Sequence, residues 1–153
     1  MAVADRLGVD EETRLKAEFG ALLHDVGKVA IPNEIINKPG PLDDDEWAIM
    51  KTHTIEGQRM LERIGGLLSR VGVVVRASHE RFDGGGYPDG LAGKDIPLAS
   101  RIVSACDAYN AMTTDRSYRK ALTTGVAVAE LRANSGTQFD PTVVEALVRV
   151  VDA

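Results

Sequence analysis

A chain of 153 residues with 44% hydrophobic content is the length of one domain with a real core, and it carries a formal charge of −5. That balance excludes a general attraction to DNA, RNA or an anionic membrane surface, so an anionic ligand needs a local basic site. One cysteine, Cys106, excludes an internal disulfide. No apolar run reaches membrane-span length and the first ten residues lack a signal-peptide layout, which makes the cytoplasm the expected compartment.

Almost every periodic segment has helical spacing. Ala2 to Leu7, stopped by Gly8, reads as the last turns of a helix cut short at its start. Asp10, Glu11 and Glu12 place negative charge in the first turn of the next helix, whose stripe is Leu15, Phe19, Leu22 and Val26. It ends at His24-Asp25, with Gly27 expected to be the left-handed residue that stops it. Another helix opens at Asp43, with Glu46 completing a capping box, and its stripe of Met50, His53, Gly57, Met60, Leu61 and Ile64 runs to Gly65-Gly66. The following helix carries Leu67, Val71, Val74 and Val75, then Ser78 and His79. After a glycine-rich loop, Leu98, Ile102, Ala105, Tyr109 and Met112 mark a helix with Asp107 inside it. Val126 to Ala133 is a short helix. Asp140 as cap and Pro141 at the first helical position open the last one. No repeat, low-complexity tract or linker interrupts the pattern, so residues 1–153 read as one all-α domain.

Polar groups on inward helix stripes need partners, because an unpaired buried one costs about 1–3 kcal/mol. His24, Asp25, His53, His79 and Asp107 are five such groups on the inward faces of four helices. Each alone is compatible with a core histidine or a helix cap. Together they resemble the way bundle cores build metal sites, with ligands projecting from facing helices. Mixed imidazole and carboxylate ligation suits iron, manganese, nickel or zinc, with the choice left open. The loop Asp83 to Gly90 has too little side chain to be core, and its backbone can approach a ligand closely. Lys28, Lys51, Arg116, Arg119 and Lys120 gather near these groups and are what a bound phosphodiester would require.

His24-Asp25-Val26-Gly27-Lys28, Lys51-Thr52-His53-Thr54, His79-Glu80-Arg81-Phe82-Asp83-Gly84-Gly85-Gly86-Tyr87-Pro88 and Cys106-Asp107-Ala108-Tyr109 follow one another in the chain. With Thr114 to Lys120 and Ser135 to Pro141, they make this sequence resemble the HD-GYP family, a subgroup of the HD phosphohydrolases, over nearly its whole length. The resemblance implies an all-α bundle of about six to seven helices that hydrolyses cyclic di-GMP to the linear dinucleotide and/or GMP. It implies a centre of divalent metal ions, two being expected here, held by His24, Asp25, His53, His79 and Asp107, with Asp25 bridging. It makes Lys28 catalytic with Asp25, and Lys28, Arg116 and Arg119 phosphate contacts. Gly86, Tyr87 and Pro88 become the signature loop beside the substrate, with a diguanylate cyclase (GGDEF) domain as a possible partner. Ser78 stands where the family has a histidine, Asn110 where aspartate is common and Ser117 where proline is common. These departures argue against a third metal and leave a second reading open, a module that binds the nucleotide or a cyclase partner without turnover. Hydrolysis of another nucleotide is a third.

Overall fold

The computed structural model describes residues 1–115 and 120–152, and among them there is no β-strand, only two isolated bridges. The helices are α1 (Ala2–Leu7), α2 (Glu11–Leu23), α3 (Asn33–Ile36), α4 (Asp44–Lys51), α5 (His53–Ile64), α6 (Gly66–Arg76), α7 (Leu98–Thr113), α8 (Thr124–Ala133) and α9 (Pro141–Val151). Short 3-10 turns at Val26–Ala30 and Gly93–Asp95 complete the regular structure. The fold class is all-α, as the periodicity predicts.

Helix starts follow local hydrogen bonding. Asp10 accepts the Thr13 amide, Asp43 and Glu46 form both bonds of the capping box, and Asp140 accepts the Thr142 amide ahead of Pro141. Each such cap contributes about 1 kcal/mol. The helix expected across 43–64 is two helices: regular structure lapses at Thr52, whose hydroxyl donates to the Ile49 carbonyl. The break lets α4 and α5 present different faces.

The larger core joins α1, α2 and α6 to α9, with Val3, Ala17, Val74, Ile102, Val103, Leu131, Val143 and Leu147 buried in it. Each fully buried aliphatic side chain contributes about 1.5–3 kcal/mol. A smaller cluster of Leu61, Val71 and Val75 is covered by Phe19, Leu23, Leu67 and Leu68. Two apolar positions expected inside are not: Leu22 is 75% and Ile64 67% exposed. For Leu22 the reason is the small-residue line on α2. Ala17 and Gly20 are the residues buried on that helix, and a Cβ on Gly20 would lie 2.7 Å from the Val74 side chain. The helix therefore turns this line toward α6, and Leu22 faces out.

Gly27 also differs from expectation. It lies in the 3-10 turn and is not among the residues with positive φ. A Cβ there would lie 1.8 Å from the His53 carbonyl oxygen and 2.5 Å from the Gly57 amide nitrogen. Gly27 is required by the close approach of this turn to α5, which brings Asp25 and Lys28 against His53.

Candidate metal centre

Four segments converge. His24 caps α2, Asp25 and Lys28 belong to the turn that follows, His53 opens α5, His79 lies in the turn after α6, and Asp107 lies on α7. Asp25, His53 and His79 each offer a ligand atom, all within 4.8 Å of one another. Asp25 faces two ways. Its Oδ1 is 3.7 Å from His53 Nε2, and its Oδ2 is 3.8 Å from His24 Nε2 and 2.8 Å from Lys28 Nζ. His24 Nε2 in turn lies 3.6 Å from Asp107 Oδ1. Asp25, His53 and His79 thus form one donor group, while His24 links Asp25 to Asp107 pairwise and neither His24 nor Asp107 belongs to that group.

The histidines are prepared as ligands by their backbone contacts. His53 Nδ1 lies 2.8 Å from the Met50 carbonyl and His24 Nδ1 2.9 Å from the Ala21 carbonyl. A carbonyl only accepts, so each Nδ1 carries a proton and each ring points its Nε2 toward the cluster; in His53, which burial keeps neutral, that Nε2 presents a lone pair. His53 is 2% exposed, and the Nε2 atoms of His53 and His79 are buried without a hydrogen-bond partner. Two orphaned buried nitrogens in one place is what a stable core avoids. A divalent cation satisfies both, so the residues present fit a metal.

Electrostatics agree. Burial pushes the His53 imidazole below its ordinary pKa, and burial together with the neighbouring His53 pushes His79 down to about 4. Both are neutral ligands at pH 7. Burial raises the Asp25 carboxyl, but the Lys28 ammonium and the His24 and His53 rings outweigh it and hold Asp25 below the usual range.

The glycine-rich loop is built onto this centre. Tyr87 stacks on His79 with ring centroids 5.2 Å apart and planes 15° from parallel, and its amide donates to the His79 carbonyl. Burial pushes the Tyr87 hydroxyl up to about 12. Gly86 leaves no room for a side chain, since a Cβ would lie 2.3 Å from the Arg81 amide nitrogen. A cavity of about 310 Å³ beside His79 is lined in part by Gly86 and Tyr87. Pro88, joined to Tyr87 by a cis peptide, is not among the residues that line it.

Sequence reasoning missed Glu80. It is 3% exposed, and its carboxylate accepts the amides of Asp89 at 2.7 Å and Leu91 at 3.1 Å. Its only sequence signal was a charge beside His79 with no obvious helix face. Ser78 is buried, and its hydroxyl donates to the Val75 carbonyl at 2.8 Å. Arg116 and Arg119 lie outside the described residues.

The chain matches the HD domain family over residues 1–143. It is 44% identical over 148 residues to the cyclic di-GMP phosphodiesterase response regulator RpfG of Xanthomonas campestris pv. campestris (strain 8004), covering 96% of this chain and 39% of RpfG. It is 45% identical over 127 residues to 3'3'-cGAMP-specific phosphodiesterase 2 of Vibrio cholerae, covering 82% of this chain and 24% of that protein. The chain therefore spans about two fifths or less of the length of these relatives. Among solved structures, the cyclic GMP-AMP phosphodiesterase V-cGAP3 of V. cholerae superposes with a TM-score of 0.76 at 20% identity, covering 99% of this chain and 41% of that one, which supports the fold. With its motifs in order along the chain and its histidines and aspartates gathered at one point, this chain belongs to the HD-domain family, in its HD-GYP group.

Proposed function

We propose that this domain is a metal-dependent phosphodiesterase that hydrolyses cyclic di-GMP to the linear dinucleotide and/or GMP. One observation carries the reading: two buried, unpartnered imidazole nitrogens face a carboxylate that also faces a third histidine, His24. His24, Asp25, His53, His79 and Asp107 would hold two divalent ions, of iron, manganese, nickel or zinc, with Asp25 common to both. Such ions supply Lewis acidity toward the phosphoryl oxygens and a nucleophile at neutral pH.

The chain's own residues do the rest. The Nδ1 bonds to the Met50 and Ala21 carbonyls fix ring orientation before any ligand arrives. Lys28 orients Asp25 through a 2.8 Å bond, and its charge at the cluster's edge is available to non-bridging phosphate oxygens. Arg116 and Arg119 join it as phosphate contacts by the family resemblance. Tyr87, packed on His79, shields one flank of the cluster from water.

The hydroxyl of Ser78 favours a second reading, because it is turned onto the Val75 carbonyl where the family has an imidazole. That reading is a module that binds the nucleotide, or a GGDEF domain, without turnover. The deciding experiment combines elemental analysis of protein purified without added metal with a cyclic di-GMP hydrolysis assay under manganese or reduced iron. Metal-dependent release of linear dinucleotide or GMP is expected. Protein that holds two ions and binds cyclic di-GMP without product would establish the second reading.

A further inference from the structure

Helix α4 has no buried residue, so its apolar side chains do not serve the core. It nonetheless carries the chain's single tryptophan, Trp47, 44% exposed, four residues before Lys51 and so on the same helix face. The Lys51 ammonium lies 5.8 Å from the centre of the Trp47 ring and 5.6 Å from that of Tyr87. Two aromatic rings hold it by cation–π attraction. Lys51 is half-buried and makes no ion pair with any carboxylate among the described residues. Its three N–H donors are thus positioned but uncommitted.

These groups continue outward from the metal donors. Tyr87 stacks on His79, Lys51 lies over Tyr87, and Trp47 lies beside Lys51. All four line the 310 Å³ cavity, together with Arg81 and Gln138. A cavity that begins at a phosphate-processing cluster and ends on an exposed indole suits the part of a nucleotide beyond the phosphate. Every base has a π-face, and stacking on an aromatic ring is how proteins hold an unpaired one. The edge of the base is then read by the donor at hand. Guanine presents O6 and N7, both acceptors, where adenine presents the N6 amino group, a donor. An ammonium donates to both acceptors of the first edge, whereas on the second it finds only N7 and meets the N6 amino group as a competing donor.

We propose that Trp47 and Lys51 form a nucleobase subsite that selects guanine over adenine. This rests on the phosphodiesterase reading, since the base is that of the nucleotide whose phosphate lies at His24 to Asp107. Trp47 is the stacking platform and Lys51 the donor to O6 and N7.

The single tryptophan makes the test direct. Hydrolysis-resistant phosphorothioate analogues of cyclic di-GMP and cyclic di-AMP are titrated into the full chain under manganese, with heat and tryptophan fluorescence recorded on the same samples. The guanine analogue should quench Trp47 as it binds. Trp47→Leu should weaken its affinity about ten-fold or more, whereas Trp47→Phe should retain most of it. Lys51→Met should cut the preference for guanine over adenine by about ten-fold. Heat of binding with unchanged fluorescence, and full affinity in Trp47→Leu, overturns the subsite and leaves the phosphodiesterase reading standing. Equal weakening of both analogues by Lys51→Met overturns the guanine assignment and makes Lys51 a phosphate contact. No heat from either analogue in the parent protein removes the parent reading, and the subsite with it.

Discussion

Gly27→Ala tests whether the metal centre depends on how closely two backbone segments approach. The new Cβ would lie 1.8 Å from the His53 carbonyl oxygen and 2.5 Å from the Gly57 amide nitrogen, whereas real Cβ contacts keep to 3.0 Å or more. The turn carrying Asp25 and Lys28 must then withdraw from the first turn of α5 by roughly 1.2 Å. Both obstructing atoms are helix backbone, so no side-chain rotation relieves the overlap. Overpacking of this kind costs about 1–3 kcal/mol, and a backbone obstruction belongs at the upper end. At about 2–4 °C per kcal/mol for a chain of this size, the melting temperature should fall by about 6–12 °C. Asp25 and His53 separate by the same displacement, which should weaken manganese binding about 10- to 100-fold. Thermal denaturation by circular dichroism and calorimetric manganese titration measure the two effects. Gly125→Ala is the control: it sits in α8 with nothing within 4 Å of its Cβ position, and a gain of about 0.5–1 kcal/mol is expected. A Gly27→Ala protein that melts with the parent and binds manganese as tightly would refute the argument.

Three further outcomes are expected. Asp25→Asn keeps the shape but removes the charge that the donor group's carboxylate supplies, so elemental analysis should find the metal content of the purified protein largely lost; full retention would show that Asp25 is not a ligand. Asp140→Ala removes both the cap on α9 and the partner of the part-buried Arg101, and urea denaturation should register a loss of about 3–5 kcal/mol, with Asp140→Asn losing less because it keeps the cap. In metal-free protein, His79 titrates near 4 when folded and near 6.5 when unfolded, so the unfolded chain binds more protons between those values. Stability should be fully present above pH 6.5 and fall by about 2–3 kcal/mol toward pH 4, His53 acting in the same direction. A flat melting temperature across pH 6.5 to 4 would place the orphaned rings in water.

What the sequence revealed and what it concealed divide along the range of the interactions. Asp43 with Glu46, and Asp140 with Pro141, act within one turn, so their residue types alone announce the helix starts. His53 and His79 stood out because polar groups on inward stripes are rare enough to be counted, and the structure brings them together with Asp25; the Asp25 and Asp107 side chains, expected on inward faces, are instead 46% and 41% exposed. Gly27, Leu22 and Thr52 were not legible in their actual roles. The reason for Gly27 lies 26 residues away in the His53 carbonyl, and Leu22 faces out because Val74 fits against Gly20. Periodicity reports which positions could be buried, and the partner helix decides which of them are. Glu80 is the same case in the site, since its bonds to Asp89 and Leu91 follow only from the path of the loop.

That path has a mechanical consequence. Glu80 grips the far half of the loop, Arg76 clasps Asp89 through two bonds of 2.6 and 2.8 Å, and the Tyr87 amide holds the near half to His79. The glycines therefore do not form a slack tether. Loop and imidazole are one rigid handle, its outer end at Asp89 in solvent and its inner end inside the donor cluster. A substitution that frees Asp89 from Arg76 and Glu80 should therefore loosen the packing of Tyr87 on His79, a candidate ligand, without touching either ring.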